Sequence, residues 1–185
     1  MRIIGGEARG RTLHFTSGSK ERPTSDFLRE TLFNLLGPVQ EKSFLDLYAG
    51  SGSVGIEAAS RGAREVVLVE KDKKISAVAQ KNIVTCGFDK KCRILTLDIG
   101  GGLGKLYKNK YEFDIIFADP PYSRGLVEQT IKLIMENPVL ARKAVVVIQH
   151  SAREDFTSIL RNKNMLRNRR KYGDSALTFL NMECP

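Results

Sequence analysis

A chain of 185 residues with 42% hydrophobic and 28% charged residues has the make-up of one globular domain able to bury a full core. No apolar run approaches the ~20 residues of a membrane span, and Met1-Arg2-Ile3-Ile4-Gly5-Gly6 lacks the apolar stretch of a signal peptide. Cys86, Cys92 and Cys184 make neither an even disulfide framework nor a metal-binding pair, so a reducing cytoplasm and no metal are expected, while a net charge of +9 points to a polyanionic partner.

Residues 1–22 are expected to form a basic arm or hairpin that buries little. Arg2, Arg9, Arg11, Lys20 and Arg22 alternate there with Gly5, Gly6, Gly10 and Gly18, against only Glu7 and Glu21. The arm suits a grip on phosphates, and its composition fits a solvated tail equally well. Arg22-Pro23-Thr24 opens a helix capped by Thr24 or Ser25, with Leu28, Leu32, Leu35 and Leu36 on one face and Gly37-Pro38 as its end.

Ser43 to Tyr48 predicts a buried strand. It runs into Gly50, Gly52 and Gly55, a G-x-G-x-x-G turn between a strand and a helix, the setting that gives the pattern meaning. The strand Glu65 to Val69 ends in Glu70, placed to accept hydrogen bonds from ribose hydroxyls. Asp46, just before the glycines, opposes the pyrophosphate of a dinucleotide and attracts the ammonium and sulfonium of S-adenosylmethionine. A simpler role as a cap of the turn is also open to it.

Lys71 to Val84 reads as a helix with Ile75, Val78, Ala79 and Ile83 inward, stopped by Gly87. The strand Arg93 to Leu97 delivers Asp98, either an acceptor for an adenine amino group or a turn former before Gly100-Gly101-Gly102. That glycine run, with Gly104, predicts a flexible loop.

Phe113 to Ala118 is a buried strand that ends in Asp119-Pro120-Pro121-Tyr122. Neither proline can donate to a ladder and each fixes φ, which leaves a stiff ledge at the carboxyl end of a strand, where ligands of open α/β sheets sit. A carboxylate, a proline carbonyl and an aromatic ring suit a planar base with an exocyclic amino group. A helix over Leu126 to Met135 and a strand over Ala144 to Ile148 follow. Ser151-Ala152-Arg153-Glu154 is a capping box predicting a helix packed by Phe156, Ile159 and Leu160. Met165 to Tyr172 and Ala176 to Met182 predict a hairpin about Gly173-Asp174. Arg161, Lys163, Arg167, Arg169, Arg170 and Lys171, with no acid among them, make either a solvated face or an electrostatic footprint for RNA. His14 and His150 are isolated, and no catalytic role is expected of them.

Met1-Arg2-Ile3-Ile4-Gly5-Gly6, Arg9-Gly10-Arg11, Arg22-Pro23-Thr24, Arg29-Glu30, Asp46 to Gly52, Glu57-Ala58, Ser60 to Ala63 and Asp119 to Tyr122 together resemble the bacterial small-subunit ribosomal RNA guanine-N(2) methyltransferases, which modify guanine 966 of 16S ribosomal RNA. The resemblance covers nearly the whole chain. It implies a single α/β methyltransferase domain over residues 1–185: a Rossmann-like, mostly parallel seven-stranded sheet with an antiparallel terminal hairpin strand and helices on both faces. It also implies S-adenosylmethionine as donor and 16S ribosomal RNA, within an assembling small subunit, as partner; a cytoplasmic monomer without metal or membrane is expected. Gly50 and Gly52 would line the cofactor with Asp46, Tyr48 and Gly55, Glu70 would hold its ribose, and Asp98 would sit by its adenine. Asp119, Pro120, Pro121 and Tyr122 would hold the guanine. RNA contacts would fall on Arg2, Arg9, Arg11, Arg22, Thr24, Arg29, Arg167, Arg169 and Arg170. Gln149 departs from a glutamate of relatives. The rival readings are a DNA amino-methyltransferase and a non-catalytic RNA-binding assembly factor, with a dehydrogenase disfavoured by Asp46.

Overall fold

A computed structural model describes residues 1–15, 25–122, 125–160 and 165–182. Arg22 and Thr24, expected to contact RNA, lie outside these residues, as do Arg161, Lys163 and Cys184. The elements run α1 (Asp26–Leu36), β1 (Ser43–Leu47), α2 (Ser53–Ser60), β2 (Glu65–Val69), α3 (Lys73–Cys86), β3 (Cys92–Leu95), α4 (Ile99–Lys108), β4 (Phe113–Ala118), α5 (Leu126–Glu136), β5 (Leu140–Ser151), β6 (Leu166–Tyr172) and β7 (Ser175–Asn181).

One seven-stranded sheet has the order β3-β2-β1-β4-β5-β7-β6. The first five strands pair in parallel, and β7 runs antiparallel to β5 and to β6. The parallel strands read as continuous apolar runs because helices cover both faces. Leu28, Leu32, Ile56, Ala59 and Ile83 of α1, α2 and α3 pack one face, while Leu103, Leu106, Val127, Ile131 and Ile134 of α4 and α5 pack the other. From β1 the chain steps outward to β2 and β3, then crosses back to place β4 on the opposite side of β1. The strand order therefore reverses between β1 and β4, and the carboxyl ends of these two strands open the crevice where such sheets bind ligands.

Three sequence expectations are corrected. The glycine run from Gly100 to Gly104 is helical, not a loop. Asp98 caps α4 by accepting from the Gly101 N–H at 2.8 Å, and Ile99, Leu103 and Leu106 anchor it in the core. Gly102 is present for space: a Cβ there would lie 2.7 Å from Val69 Cγ1 on β2. Gly102→Ala should therefore lower stability by about 1–2 kcal/mol, since overpacking against a stiff β-branched side chain outweighs the gain in helix propensity. Gly104→Ala, with its nearest neighbour Asn137 Oδ1 at 3.7 Å, should raise it by up to about 1 kcal/mol. Urea denaturation of the two variants reads the opposite signs.

The capping box at Ser151 does not open an α-helix. Strand β5 runs on through Ser151, and Ala152 still donates to the Asp174 carbonyl at 2.8 Å. Arg169 donates to the carbonyls of Ala152 and Glu154, groups that a helix would need for its own bonds, so only a 3₁₀ turn over Thr157–Ile159 follows. The third correction concerns the burial expected of the amino-terminal segment: bridged antiparallel at Arg2 and Thr12, it buries Ile3, Ala8 and Leu13 in the core, where its composition led us to expect little burial. No helix among the described residues is long and apolar enough to cross a membrane.

Candidate active site

The site grows from the ends of β1, β2, β4 and β5. Past Leu47, Tyr48 takes φ +62° and Gly50 and Gly52 take +56° and +84°, so the chain turns sharply into α2. A left-handed tyrosine is costly unless its surroundings fix it. Here its hydroxyl is 2.8 Å from Thr130 Oγ1 on α5, and burial raises its pKa. Asp46, inside β1, is buried and accepts from the Gly55 N–H at 2.8 Å, so its carboxylate braces the glycine turn from beneath. Its pKa is pushed up to about 8, first by burial and then by the nearby charges of Asp119 and Glu70, against the lowering effect of the Gly55 bond. Both roles offered for Asp46 by the sequence are compatible: it caps the turn, and it belongs to a cluster of three acids.

Glu70 follows β2 and is almost buried. Its Oε2 accepts from Gly50 N–H at 3.0 Å and Oε1 from Asp72 N–H at 2.8 Å, which ties the glycine turn to the next strand. Asp98 stands at the end of β3 as an exposed cap of α4. The ledge comes from β4. Ala118 is paired with Leu47, and Asp119 N–H points to the Leu47 carbonyl at 3.5 Å, so the ledge leaves the sheet directly beside the glycine turn. Gln149, on β5, is buried and donates from Nε2 to Asp119 Oδ2 at 2.9 Å. Tyr122, at the outer end of the ledge, is partly exposed and its hydroxyl is 2.9 Å from Ser175 Oγ at the start of β7.

The donor set can be tested against the candidate cofactors. No lysine or arginine occurs between Asp46 and Glu57, and the charges of Asp119 and Glu70 add to the cost of ionising Asp46. Such a site disfavours a pyrophosphate and favours a ligand carrying positive charge. The residues fit S-adenosylmethionine.

Among the described cationic residues proposed for RNA, Arg2, Arg9 and Arg11 are exposed on the arm, with Arg11 also donating to the Thr85 carbonyl at 2.6 Å. Arg167 and Arg170 are exposed on β6, whereas Arg169 is half-buried against the turn after β5. Arg29 is a correction. Fully buried, it pairs with Glu57 at 3.4 Å and with Asp26 at 3.0 Å, so it has no surface to offer a nucleic acid. Its partner Glu57 is the residue whose role sequence reasoning missed: both oxygens accept from the arm, at 2.8 Å from Ile4 N–H and 2.8 Å from Gly5 N–H. A glutamate in the otherwise small and apolar Val54-Gly55-Ile56-Glu57-Ala58-Ala59 was the available signal, because a carboxylate on a buried helix must have partners. Gln149 likewise went without an assigned contact.

His150 is structural. Nδ1 donates to the Ser151 carbonyl and Nε2 accepts from Thr178 Oγ1, each at 2.8 Å, and burial pulls its pKa down to about 4, which keeps it neutral. Cys86 and Cys92 are free and buried, and burial pushes the Cys92 thiol up to about 12, so it packs and does not react.

The profile of the family described as "Conserved hypothetical protein 95" matches residues 1–181. The chain belongs to that family. It is 36% identical over 168 residues to the Ribosomal RNA small subunit methyltransferase D of Escherichia coli K12, covering 90% of this chain and 83% of that one. Among solved structures, the putative methyltransferase yhhF from Escherichia coli superposes with a TM-score of 0.85 at 35% identity over 99% of this chain and 98% of that chain. The 16S rRNA N2 G1207 methyltransferase of T. thermophilus, in complex with AdoMet and guanosine, has a TM-score of 0.75 at 25% identity, covering 98% of this chain and 49% of that one. The family fold is thus the Rossmann-like methyltransferase sheet that the sequence led us to expect, and its antiparallel terminal hairpin is present as β6 and β7.

Proposed function

We propose that this protein transfers a methyl group from S-adenosylmethionine to the exocyclic N2 amino group of a guanine in 16S ribosomal RNA, on small subunits assembling in the cytoplasm. The observation that carries this reading is the position of the Asp119-Pro120-Pro121-Tyr122 ledge, which leaves the sheet beside the glycine turn where the strand order reverses. The ribosomal RNA enzyme relatives and the guanosine-bound neighbour support the choice of substrate. S-adenosylmethionine supplies a methyl group activated on a positively charged sulfur. Gly50, Gly52 and Gly55 would line it, Glu70 would hold the ribose, Asp98 would stand by the adenine, and Asp46 with Tyr48 would close the floor.

The chain's own work falls on the substrate nitrogen. The lone pair of a guanine amino group is delocalised into the ring, so its nucleophilicity is the difficulty. Asp119 and the Pro120 carbonyl accept its two N–H bonds, which favours a pyramidal nitrogen and offsets the positive charge growing on it. Tyr122 stacks on the base, and the two prolines keep the acceptors from relaxing away. The nitrogen becomes acidic only once methylated, so Asp119 has a proton to receive without having to act as a strong base beforehand. The nucleotide must be unstacked from its helix to reach the ledge.

The acid cluster gives a pH dependence with a definite sign. Asp46 is raised from 3.8 to about 8 in the folded protein, so its carboxyl holds a proton at pH 7. In the absence of ligand this group costs stability as pH climbs from about 4 towards 8, because the unfolded chain gives up that proton more readily. A cation that binds against ionised Asp46 must expel the proton. Affinity for S-adenosylmethionine should then rise by up to about tenfold per pH unit between pH 6 and 7.5. Asp46→Asn should flatten the slope, and uncharged 5′-methylthioadenosine should show none; calorimetry measures all three.

Radiolabelled methyl transfer to naked 16S RNA, partly assembled subunits and complete subunits, with mapping of the product, tests the reading. Label on the N2 of a guanine is expected. Label in DNA and not in RNA would make the protein a DNA amino-methyltransferase. Failure to bind S-adenosylmethionine at all would leave an assembly factor that kept the fold.

A further inference from the structure

Phe27 is 64% exposed, the most exposed large apolar side chain among the described residues. It stands in the first turn of α1, one residue after Asp26, although the buried side of that helix is already filled by Leu28, Leu32 and Phe33. Its ring meets Tyr172 edge-on, with centroids 6.0 Å apart at 75°. Tyr172 ends β6 and is paired with Ser175 of β7, whose hydroxyl is the partner of Tyr122. Contact by contact, Tyr122, Ser175, Tyr172 and Phe27 thus make one continuous surface running outward from the ledge. Alternation along β6 puts Arg170 on the same face of the strand as Tyr172, and the strand from Leu166 to Tyr172 carries four cationic residues and no acid.

We propose that Phe27 and Tyr172 form a shelf on which the base next to the target nucleotide stacks, with Arg170 taking the adjoining phosphate. This rests on the reading of the ledge as a site for an RNA base and extends it to the neighbouring nucleotide. Drawing one base out of a stack exposes a face of each neighbour, and that lost contact needs a replacement. An exposed aromatic ring supplies it without regard to sequence, because every base has a π face. The cation on that face matches a phosphate backbone, whereas an apolar protein partner would gain nothing from Arg170 beside its contact.

The test is steady-state methylation, by Phe27→Ala, Phe27→Leu and Phe27→Trp, of whichever of naked 16S RNA and partly assembled subunits the native protein methylates. The exposure of Phe27 means that melting temperature and affinity for S-adenosylmethionine should stay at native values. KM for RNA should rise roughly ten- to a hundredfold in Phe27→Ala, with a smaller change in kcat. Phe27→Leu should resemble alanine, and Phe27→Trp should restore native KM. Arg170→Ala should reduce the steepness of the salt dependence of RNA binding by about one counterion. An unchanged KM in Phe27→Ala overturns the shelf while leaving the methyltransferase reading intact. Leucine serving as well as phenylalanine overturns it in favour of an apolar protein contact. A native protein that methylates no RNA removes both the reading and the shelf.

Discussion

Replacing Asp119 by alanine is expected to lower kcat by about a hundred- to a thousandfold while affinity for S-adenosylmethionine changes by no more than a few-fold. The size follows from what the carboxylate faces. One oxygen is held by Gln149 Nε2 at 2.9 Å, which fixes the plane of the group, and the backbone N–H beneath is aimed at Leu47. A carboxylate so oriented offsets charge that develops only as the amino nitrogen reacts, so its loss should appear in turnover and scarcely in ground-state binding. Asp119→Asn separates this from a steric role. The asparagine oxygen can still accept from Gln149, which turns an N–H towards the substrate amino group, a donor against a donor. It should therefore be as inactive as alanine. Removing Asp119 also removes a charge that raises Asp46, so cofactor binding near neutral pH should weaken less steeply on acidification. Rapid-quench turnover beside calorimetry resolves the two quantities. Equal losses in both would make Asp119 a cofactor or framework residue.

The parts of this site that a sequence can carry are those whose chemistry is local. Asp119-Pro120-Pro121-Tyr122 is legible because prolines end a ladder wherever they occur, and Gly50 and Gly52 because positive φ selects glycine. Glu70 and Asp98 were visible as acids at strand ends, and the hairpin of β6 and β7 as two extended runs about Gly173-Asp174. What stayed hidden depends on residues far away in the chain. Gly100 to Gly104 looks like a loop until Val69, at the end of β2, is seen to require a residue without a Cβ at Gly102. The capping box at Ser151 has the right letters, but Arg169 from β6 occupies the carbonyls its helix would use. Arg29 reads as a surface cation in a basic neighbourhood; only the placement of Glu57 beneath the arm makes it an interior one. In each case tertiary contact overrides a local preference worth at most about 1 kcal/mol per residue.

Glu57→Ala should cost the protein about 3–5 kcal/mol, and it should do so by releasing the amino-terminal arm. Glu57 is fully buried on α2 and answers four groups at once: the N–H bonds of Ile4 and Gly5, the Arg61 guanidinium at 2.7 Å and the Arg29 guanidinium at 3.4 Å. Its removal leaves Arg29 charged in the interior with only half-exposed Asp26 as an acidic partner, and an unpaired buried cation costs more than the pair contributed. For a chain of this size the loss corresponds to a fall in melting temperature of roughly 6–20 °C. Glu57→Gln, which keeps the shape and one acceptor, should fall between the native protein and alanine. The double variant with Arg29→Met should recover part of the loss, since the stranded charge is then gone. Gly6 offers an independent route to the same state: at φ +79° its Cβ would lie 1.8 Å from the Ser60 carbonyl oxygen, so Gly6→Ala cannot seat the arm on α2. Both variants should become susceptible to trypsin at Arg2, Arg9 and Arg11, sites that native packing of Ile3, Ala8 and Leu13 protects. Both should also lose RNA affinity at a temperature where the sheet is still folded and S-adenosylmethionine still binds, because the arm holds cations and the cofactor residues lie on other elements. A cofactor site that failed together with the arm would mean that Glu57 supports the glycine turn through α2, and that the arm is a clamp on the fold before it is a contact for RNA.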